Sequence, residues 1–176
     1  MTEKLILEKI DNTAQITINN PSANTWDLES LSGLQEIIEN LNKDDDIFAL
    51  VITGQGDKFF SAGADLKVFH EGGKEAAKEM SNAFSKAFES LSNFRGVSIA
   101  AINGCAMGGG LECALACDIR VAEEKAVLAL PEPKVGLLPC GGGTQVLPRL
   151  VGEGWAKRII LTCLLYTSDA ADEKVR

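Results

Sequence analysis

The stretch AINGCAMGGGLE, at residues 101–112, decides the architecture of this chain. Its three consecutive glycines, Gly108 to Gly110, stand between an apolar run at 97–102, which predicts a buried strand, and an apolar run from Leu111, which predicts a helix. The glycines therefore mark a strand-to-helix turn. Glycine there lets the main chain approach a ligand closely, and the first N–H groups of the helix have no intrahelical partner. Such groups can bind a negatively charged oxygen.

Two glutamates accompany this turn. Glu112 follows the triplet by two positions, and Glu132 stands twenty residues later between Pro131 and Pro133. The chain has one histidine, His70, in a short polar stretch where a surface or helix-end role is expected. General acid and base chemistry therefore falls to carboxylates, and a histidine-centred metal site is disfavoured.

Length and composition bound the class of protein. A chain of 176 residues suffices for one domain with a substantial core, and 45% hydrophobic with 24% charged residues is ordinary for a globular protein. The formal net charge is −8, and no run of Lys and Arg interleaves with aromatic residues, so a nucleic-acid or anionic-membrane surface is disfavoured. No apolar segment is long enough to cross a bilayer, and no secretory h-region follows the N-terminus. These features predict a cytoplasmic protein that binds neither nucleic acid nor membrane.

The cysteines are expected to be thiols of the core. Two of them, Cys113 and Cys117, stand four positions apart on the predicted helix. A zinc site needs more ligands than their neighbourhood offers. No metal is therefore predicted. The remaining cysteines are Cys105, Cys140 and Cys163.

The spacing of apolar residues predicts an α/β fold with crossover connections. Alternation predicts an N-terminal hairpin, and helical spacing predicts two long amphipathic helices. The predicted elements are strands at 5–10 and 14–19, a helix at 27–42, a strand at 47–53, a helix with its apolar residues between 76 and 91, a strand at 97–102, a helix around Glu112, and short strands at 118–122 and 127–130.

A second turn containing glycine follows the strand at 47–53. In it, the small residues Ala62, Gly63 and Ala64 leave main-chain N–H groups uncovered. By itself this stretch is equally compatible with a tight turn in which Asp65 caps a helix. The glycine triplet by itself is likewise compatible with close helix packing.

Three stretches, in the same order and at the same spacing, resemble the enoyl-CoA hydratase/isomerase superfamily, also called the crotonase superfamily. They are FFSAGADLK at 59–67, AINGCAMGGGLE at 101–112, and LPEPKVGLLP at 130–139 followed by GGTQ at 142–145. The resemblance extends from about Leu5 to Leu161 and is strongest to the short-chain type of enoyl-CoA hydratase. It implies a crotonase-like spiral of ββα units.

The resemblance also implies roles for individual residues. By position, Ala62 and Gly109 resemble the two main-chain N–H donors of an oxyanion hole, which holds the thioester carbonyl while enolate charge develops on it. The segment Ala62, Gly63, Ala64 and Asp65 resembles the part of the family that runs along the CoA moiety. With Gly109, these are the expected substrate-binding residues. The substrate implied is an acyl-CoA or enoyl-CoA thioester.

Glu112 and Glu132 align with the acids that, in hydratases of the family, hold a water and add it across the double bond of a 2-trans-enoyl-CoA. Two close carboxylates can supply both base and acid, because repulsion and desolvation raise the pKa of one of them. Isomerases and other branches often keep one of these acids. Two glutamates therefore favour reversible syn hydration to a 3-hydroxyacyl-CoA, with isomerisation as the alternative. No cofactor is expected, since CoA is part of the substrate.

The chain departs from the family in two places. Cys140 stands where many relatives have glycine, which preserves the main-chain N–H. After residue 161 the family continues into C-terminal helices that cover the acyl pocket and pack subunits together, whereas 163–176 resembles the translation of a sequencing adaptor. We therefore expect an incomplete catalytic core at 1–162, with its C-terminal helical part missing, and a non-native, disordered tail. The parent protein is expected to form a homotrimer or homohexamer, and a non-catalytic acyl-CoA binder or an inactive fragment remains an alternative for this chain.

Overall fold

The structure, a computed structural model, describes residues 2–167, with the main chain alone at 68–71. Helices and strands alternate along the chain, which confirms the predicted α/β class. The elements are β1 (Leu5–Ile10), β2 (Thr13–Ile18), α1 (Leu28–Leu41), β3 (Ala49–Gly54), β4 (Phe59–Ser61), α2 (Lys67–Ser92), β5 (Val97–Ile102), β6 (Cys105–Met107), α3 (Gly109–Ala116), β7 (Ile119–Ala122), β8 (Leu128–Ala129), a 3₁₀ turn (Glu132–Val135), α4 (Gly143–Val151) and α5 (Glu153–Thr162).

The strands form two sheets. The larger has five strands in the order β1-β2-β3-β5-β7, and the smaller has three in the order β4-β6-β8. Among the described strands, β1 and β2 pair antiparallel and the other pairs are parallel. From β3 onward the chain repeats one path: a strand of the large sheet, a strand of the small sheet, then a helix. This path is the spiral of ββα units that the resemblance implied.

The core lies between the large sheet and the two long helices. Ile16, Ile52 and Ala100 are neighbours across β2, β3 and β5, and all three are fully buried. Leu34 and Ile38 of α1, one turn apart, are also fully buried. Because side chains alternate along a strand, one face of each strand contributes to this layer. This layer supports the fold, whereas the residues of the candidate site follow the strands of the small sheet, β4, β6 and β8.

The helix predicted at 27–42 is confirmed, and its start has a clear cause. The Asp27 carboxylate accepts the main-chain N–H of Ser30 at 2.9 Å, and the Ser30 hydroxyl accepts the N–H of Asp27 at 2.9 Å. This reciprocal cap satisfies N–H groups that the first helical turn leaves without partners. The second long helix, α2, is interrupted at Gly73, where φ is 61° and ψ is −153°.

We expected the glycine triplet to follow the strand at 97–102 directly, but it does not. Strand β6 lies between them and pairs with β4 on one side and β8 on the other. Strands β4 and β6 contain three residues each, which is too short for apolar alternation to be recognised in the sequence, whereas β8 lies within the short strand predicted at 127–130. The turn therefore emerges from the small sheet.

Beyond α5 the chain returns to the small sheet. Leu128 and Tyr166 exchange main-chain hydrogen bonds of 2.9 and 2.8 Å. The predicted tail at 163–176 thus begins with residues that pair with the fold, which corrects the expectation of disorder for them. Its non-native origin stays a prediction, and residues 168–176 lie outside the described part of the chain. Within residues 2–167 no helix is both long and apolar enough to cross a membrane.

Candidate active site

The glycine triplet allows three different close approaches. A β-carbon on Gly109 would lie 2.5 Å from Phe84 Cε1, and one on Gly110 would lie 2.1 Å from the carbonyl oxygen of Ser61. Both distances are shorter than any van der Waals contact, so neither position admits a side chain without a shift of the fold. These two glycines therefore seat the first turn of α3 directly on α2 and β4.

Gly108 has a different role. Its φ is 52°, in the left-handed region that favours glycine, and its N–H donates to the carbonyl of Ala129 at 2.9 Å. A β-carbon there would lie 3.2 Å from Glu132 Oε1. The strand-to-helix turn therefore borders Glu132, which the sequence analysis had associated with this turn.

The loop after β4 lies against the N-terminus of α3. Gly63 has φ 88°, and a β-carbon on it would lie 2.7 Å from the Met107 carbonyl oxygen and 3.1 Å from Gly109 N. Gly109 is the first residue of α3, so its N–H points out of the helix without an intrahelical acceptor. The structure therefore brings the two glycine-containing turns together.

The predicted oxyanion donor Ala62 is engaged elsewhere. Its N–H donates to the carbonyl of Ala23 at 2.9 Å. Ala64 lies two residues further along and forms a parallel β-bridge with Trp26. Neither hydrogen bond of this bridge uses the N–H of Ala64: the Trp26 N–H donates to the Gly63 carbonyl, and the Asp65 N–H donates to the Trp26 carbonyl. Within the described residues, the N–H of Ala64 donates to no acceptor. The assignment of a free donor to Ala62 is therefore wrong in this structure, and Ala64 is the residue with an uncommitted N–H.

Asp65 lies one position before the N-cap of the following helix, which is Leu66. Asp65 Oδ1 accepts the main-chain N–H of Lys67, the first residue of α2, at 3.1 Å. The bond closes a local turn, while the capping role that the sequence left open for Asp65 is not found, since α2 has no side-chain cap. Contact of Ala62, Gly63, Ala64 and Asp65 with CoA stays a prediction.

Glu112 lies in the first turn of α3 and is 2% exposed. Its Oε1 accepts the main-chain N–H groups of Gly141 and Gly143, each at 2.8 Å. Burial raises the pKa of this carboxyl, while the N–H groups of Gly143, Gly141 and Cys140 oppose the rise by stabilising the charged form. The family pattern in the sequence included Gly143 but not Gly141, and it identified neither as a partner of Glu112.

Glu132 begins the 3₁₀ turn and has the opposite surroundings. Both of its carboxylate oxygens are buried, and neither has a hydrogen-bond partner within residues 2–167. Burial raises the pKa of Glu132 to about 7, and the negative charge of Glu112 contributes to the rise. The two acids therefore differ in their surroundings: two main-chain N–H donors support the charged form of Glu112 against the burial that raises its pKa, whereas Glu132 has no such donors among the described residues and its pKa is raised to about 7.

The cysteines hold no metal site. Cys113 in α3 and Cys117 directly after it are buried, and burial raises the pKa of both thiols, that of Cys117 to about 12. Cys140 is half-buried beside the two glutamates, and its pKa is raised to about 11, chiefly by burial. In the part of the chain that the structure describes, no group of three His, Cys, Asp or Glu residues could hold a metal ion. The side chain of His70 lies outside the described residues.

A spiral of ββα units that presents paired acids beside unpaired N–H groups defines the class of protein. The chain belongs to the enoyl-CoA hydratase/isomerase family, whose sequence pattern matches residues 8–174.

Individual relatives agree with this assignment. The chain is 41% identical over 177 residues to a crotonyl-CoA hydratase of Syntrophomonas wolfei, with 99% of this chain and 66% of that protein covered. The solved structure of Pseudomonas aeruginosa DspI is 66% identical with a TM-score of 0.94, covering 97% of this chain and 70% of that chain. An enoyl-CoA hydratase of Bacillus anthracis has 36% identity and a TM-score of 0.93, with 97% and 67% covered. The chain spans 57 to 66% of the length of eight curated relatives that it matches.

Proposed function

We propose that the protein is an enoyl-CoA hydratase, a lyase that reversibly adds water to a 2-trans-enoyl-CoA to give a 3-hydroxyacyl-CoA. The observation that carries the proposal is the contrast between two neighbouring buried acids, one with main-chain donors and one without. Hydration needs both a base and an acid, and this contrast supplies one of each. The enoyl-CoA hydratase/isomerase family to which the chain belongs supports the same chemistry.

The thioester would be held by two main-chain donors. We assign them to Gly109, at the N-terminus of α3, and to Ala64, whose N–H is uncommitted among the described residues. As the reaction proceeds, negative charge moves onto the thioester oxygen, and fixed N–H groups stabilise this enolate without reorganisation. One such donor typically contributes a factor of about 10² to 10³ in rate. The loop from Ala62 to Asp65 would then lie along the CoA.

The proton transfers follow from the two acids. Glu112, as the carboxylate, removes a proton from water while the water oxygen bonds to C3 of the enoyl group. The electron pair of the double bond moves toward the thioester, and Glu132, as the neutral acid, delivers its proton to C2 on the same face. Glu112 then carries the proton taken from water, and Glu132 is left as a carboxylate. Transfer of one proton from Glu112 to Glu132 through solvent restores the starting state. No further cofactor takes part in this proposal.

The proposal is tested by mixing the protein with crotonyl-CoA and following the absorbance of the conjugated thioester. Loss of this absorbance, with 3-hydroxybutyryl-CoA as product, is the expected result. If the absorbance stays unchanged and a 3-enoyl-CoA is converted to its conjugated isomer, the protein is an isomerase and the hydratase proposal is wrong. Calorimetric titration with an acyl-CoA separates the remaining outcomes, because binding without turnover indicates a non-catalytic binder.

Assembly is a separate part of the proposal. Family resemblance suggests a homotrimer or a homohexamer for the parent protein. Light scattering on the full-length parent protein measures its molar mass in solution against the calculated mass of one copy. A monomer would remove this part of the proposal without touching the chemistry.

A further inference from the structure

Two phenylalanines of α2 contact the two halves of the candidate site separately. A β-carbon on Gly109 would lie 2.5 Å from the ring of Phe84, and a β-carbon on Gly141 would lie 2.7 Å from the ring of Phe88. The two phenylalanines are four residues apart, so they lie one turn apart on the same face of the helix. One ring therefore contacts the oxyanion end of the site, and the other contacts the loop that donates to Glu112.

Packing fixes the position of both rings. Phe84 and Phe88 are each 2% exposed, and they meet edge to face with their centroids 5.5 Å apart. Trp26, fully buried, packs edge-on against Phe88 with a centroid distance of 5.8 Å. Protein interiors are close-packed, so a ring in such a cluster transmits a change of shape to the main chain that it touches.

From these contacts we propose that Phe84 and Phe88 are positioning residues with separate tasks: Phe84 places the Gly109 N–H, and Phe88 places the loop whose N–H groups hold Glu112. The inference rests on the proposed hydratase function, because it concerns the same site. Neither ring takes part in proton transfer, and each acts through a glycine that it contacts.

The two tasks predict different consequences. Movement of Gly109 would weaken stabilisation of the enolate oxygen and leave the protonation of Glu112 unchanged. Movement of Gly141 would weaken a hydrogen bond to the Glu112 carboxylate and so raise the pKa of that acid. Two other titratable groups face Glu112, namely Glu132 of the 3₁₀ turn and Cys140 of the loop, and both are retained in all the variants below.

The test compares Phe84→Leu and Phe88→Leu with a control, Phe94→Leu. Phe94 is also buried, at 7% exposure, but follows α2, and its ring lies against Gly96 rather than a glycine of the site. Three quantities are measured: kcat for crotonyl-CoA hydration against pH, the carbonyl stretching frequency of a bound thioester, and the titration of Glu112 by infrared difference against Glu112→Gln.

Phe84→Leu is expected to lower kcat about 10- to 100-fold, as displaced catalytic groups do, and to return the carbonyl stretch toward its value in solution. It should leave the Glu112 titration in place. Phe88→Leu is expected to raise the pKa of Glu112 and to shift the corresponding limb of the pH profile to higher pH, while the carbonyl stretching frequency of the bound thioester stays unchanged. Phe94→Leu should lower the unfolding temperature alone. Methionine variants at 84 and 88, whose unbranched side chains adapt better to an irregular cavity, replace any leucine variant that does not fold.

Identical changes in the two site variants, or the same changes in Phe94→Leu, would overturn the proposal, since general loosening of the core would then explain them. If the unmodified chain bound no crotonyl-CoA, the proposed function would fail, and with it the task given to Phe84. The Glu112 titration needs no ligand, so it decides the task of Phe88 independently of that failure.

Discussion

Gly143 donates its main-chain N–H to Glu112 Oε1 at 2.8 Å, although 31 positions separate the two residues in the chain. Gly141 donates to the same oxygen, so this acid is supported in its charged form. Glu132 has no comparable support among the described residues, and this difference determines the expected behaviour of the site with pH.

Hydration should slow as the pH rises through about 7, because Glu132 must carry a proton to deliver it and its pKa is raised to about 7. The measurement is kcat/KM for crotonyl-CoA from pH 5 to 9. Glu132→Gln serves as the control, since its residual rate should lack this limb. A wild-type rate that stays level between pH 6 and 8 would contradict the assignment of Glu132 as the acid.

The same group should affect stability with a definite sign. The pKa of Glu132 is raised from 4.5 to about 7, so the folded protein holds this proton more tightly than the unfolded chain. Its contribution to stability is fully present below pH 4.5 and is lost as the pH rises through about 7. Measured with urea, the free energy of unfolding of the wild type relative to that of Glu132→Gln should therefore fall as the pH rises across that interval. A difference independent of pH would show that the carboxyl does not titrate as described.

Each glutamate should be indispensable to hydration. Glu112→Gln and Glu132→Gln are both expected to lower kcat by about 10² or more, because each removes one partner of the proton transfers while keeping the shape of the side chain. Glu36→Gln, on the exposed face of α1, is the matched control and should keep the wild-type rate. Full activity in either site variant would exclude the two-acid mechanism.

Replacing single main-chain amides by esters should separate Ala64 from Ala62. An ester at Ala64, introduced with the α-hydroxy analogue of alanine, removes the proposed oxyanion donor and should lower kcat by about 10² to 10³. An ester at Ala62 removes the hydrogen bond to Ala23, so it should cost about 1 kcal/mol of unfolding free energy and little activity. The reverse pattern would restore the assignment made from the sequence.

Gly110 and Gly154 provide a pair of helical glycines with opposite surroundings. A β-carbon on Gly110 would lie 2.1 Å from the Ser61 carbonyl oxygen, whereas one on Gly154 in α5 would meet nothing within 4 Å. Gly110→Ala should lower the free energy of unfolding by about 1 to 3 kcal/mol or more through overpacking. Gly154→Ala should be neutral or stabilising by up to about 1 kcal/mol, because alanine is the better helix former. Both are measured by urea unfolding, and equal effects would contradict the close approach of α3 to β4.

The features that the sequence predicted well are those with local causes. The antiparallel hairpin and α1 follow from periodicity over six or more residues and from a capping aspartate at Asp27. The glycine triplet marked the turn correctly because no other residue tolerates such close contacts there. Strands β4 and β6 were missed because three residues carry no detectable period.

The error at Ala62 has a different cause. Which N–H in the Ala62 to Asp65 loop is left uncommitted depends on hydrogen bonds with Ala23 and Trp26, which lie about 40 residues earlier in the chain. No local pattern carries that information. The same holds for Glu112, whose side chain was identified from the sequence while its donors were not.

The distance along the chain between Glu112 and its donors also bears on when the site forms during synthesis. A nascent chain that has just passed Glu132 already contains both acids and both proposed oxyanion donors, yet residues 141 and 143 are still to be translated. Until they emerge, burial of Glu112 would leave its charge without the two N–H bonds that support it in the finished fold. Docking of α3 and completion of the acid pair should therefore occur together, after residue 143 has left the ribosome. The proposed hydratase activity would then report on folding of the whole stretch rather than on the presence of the acids.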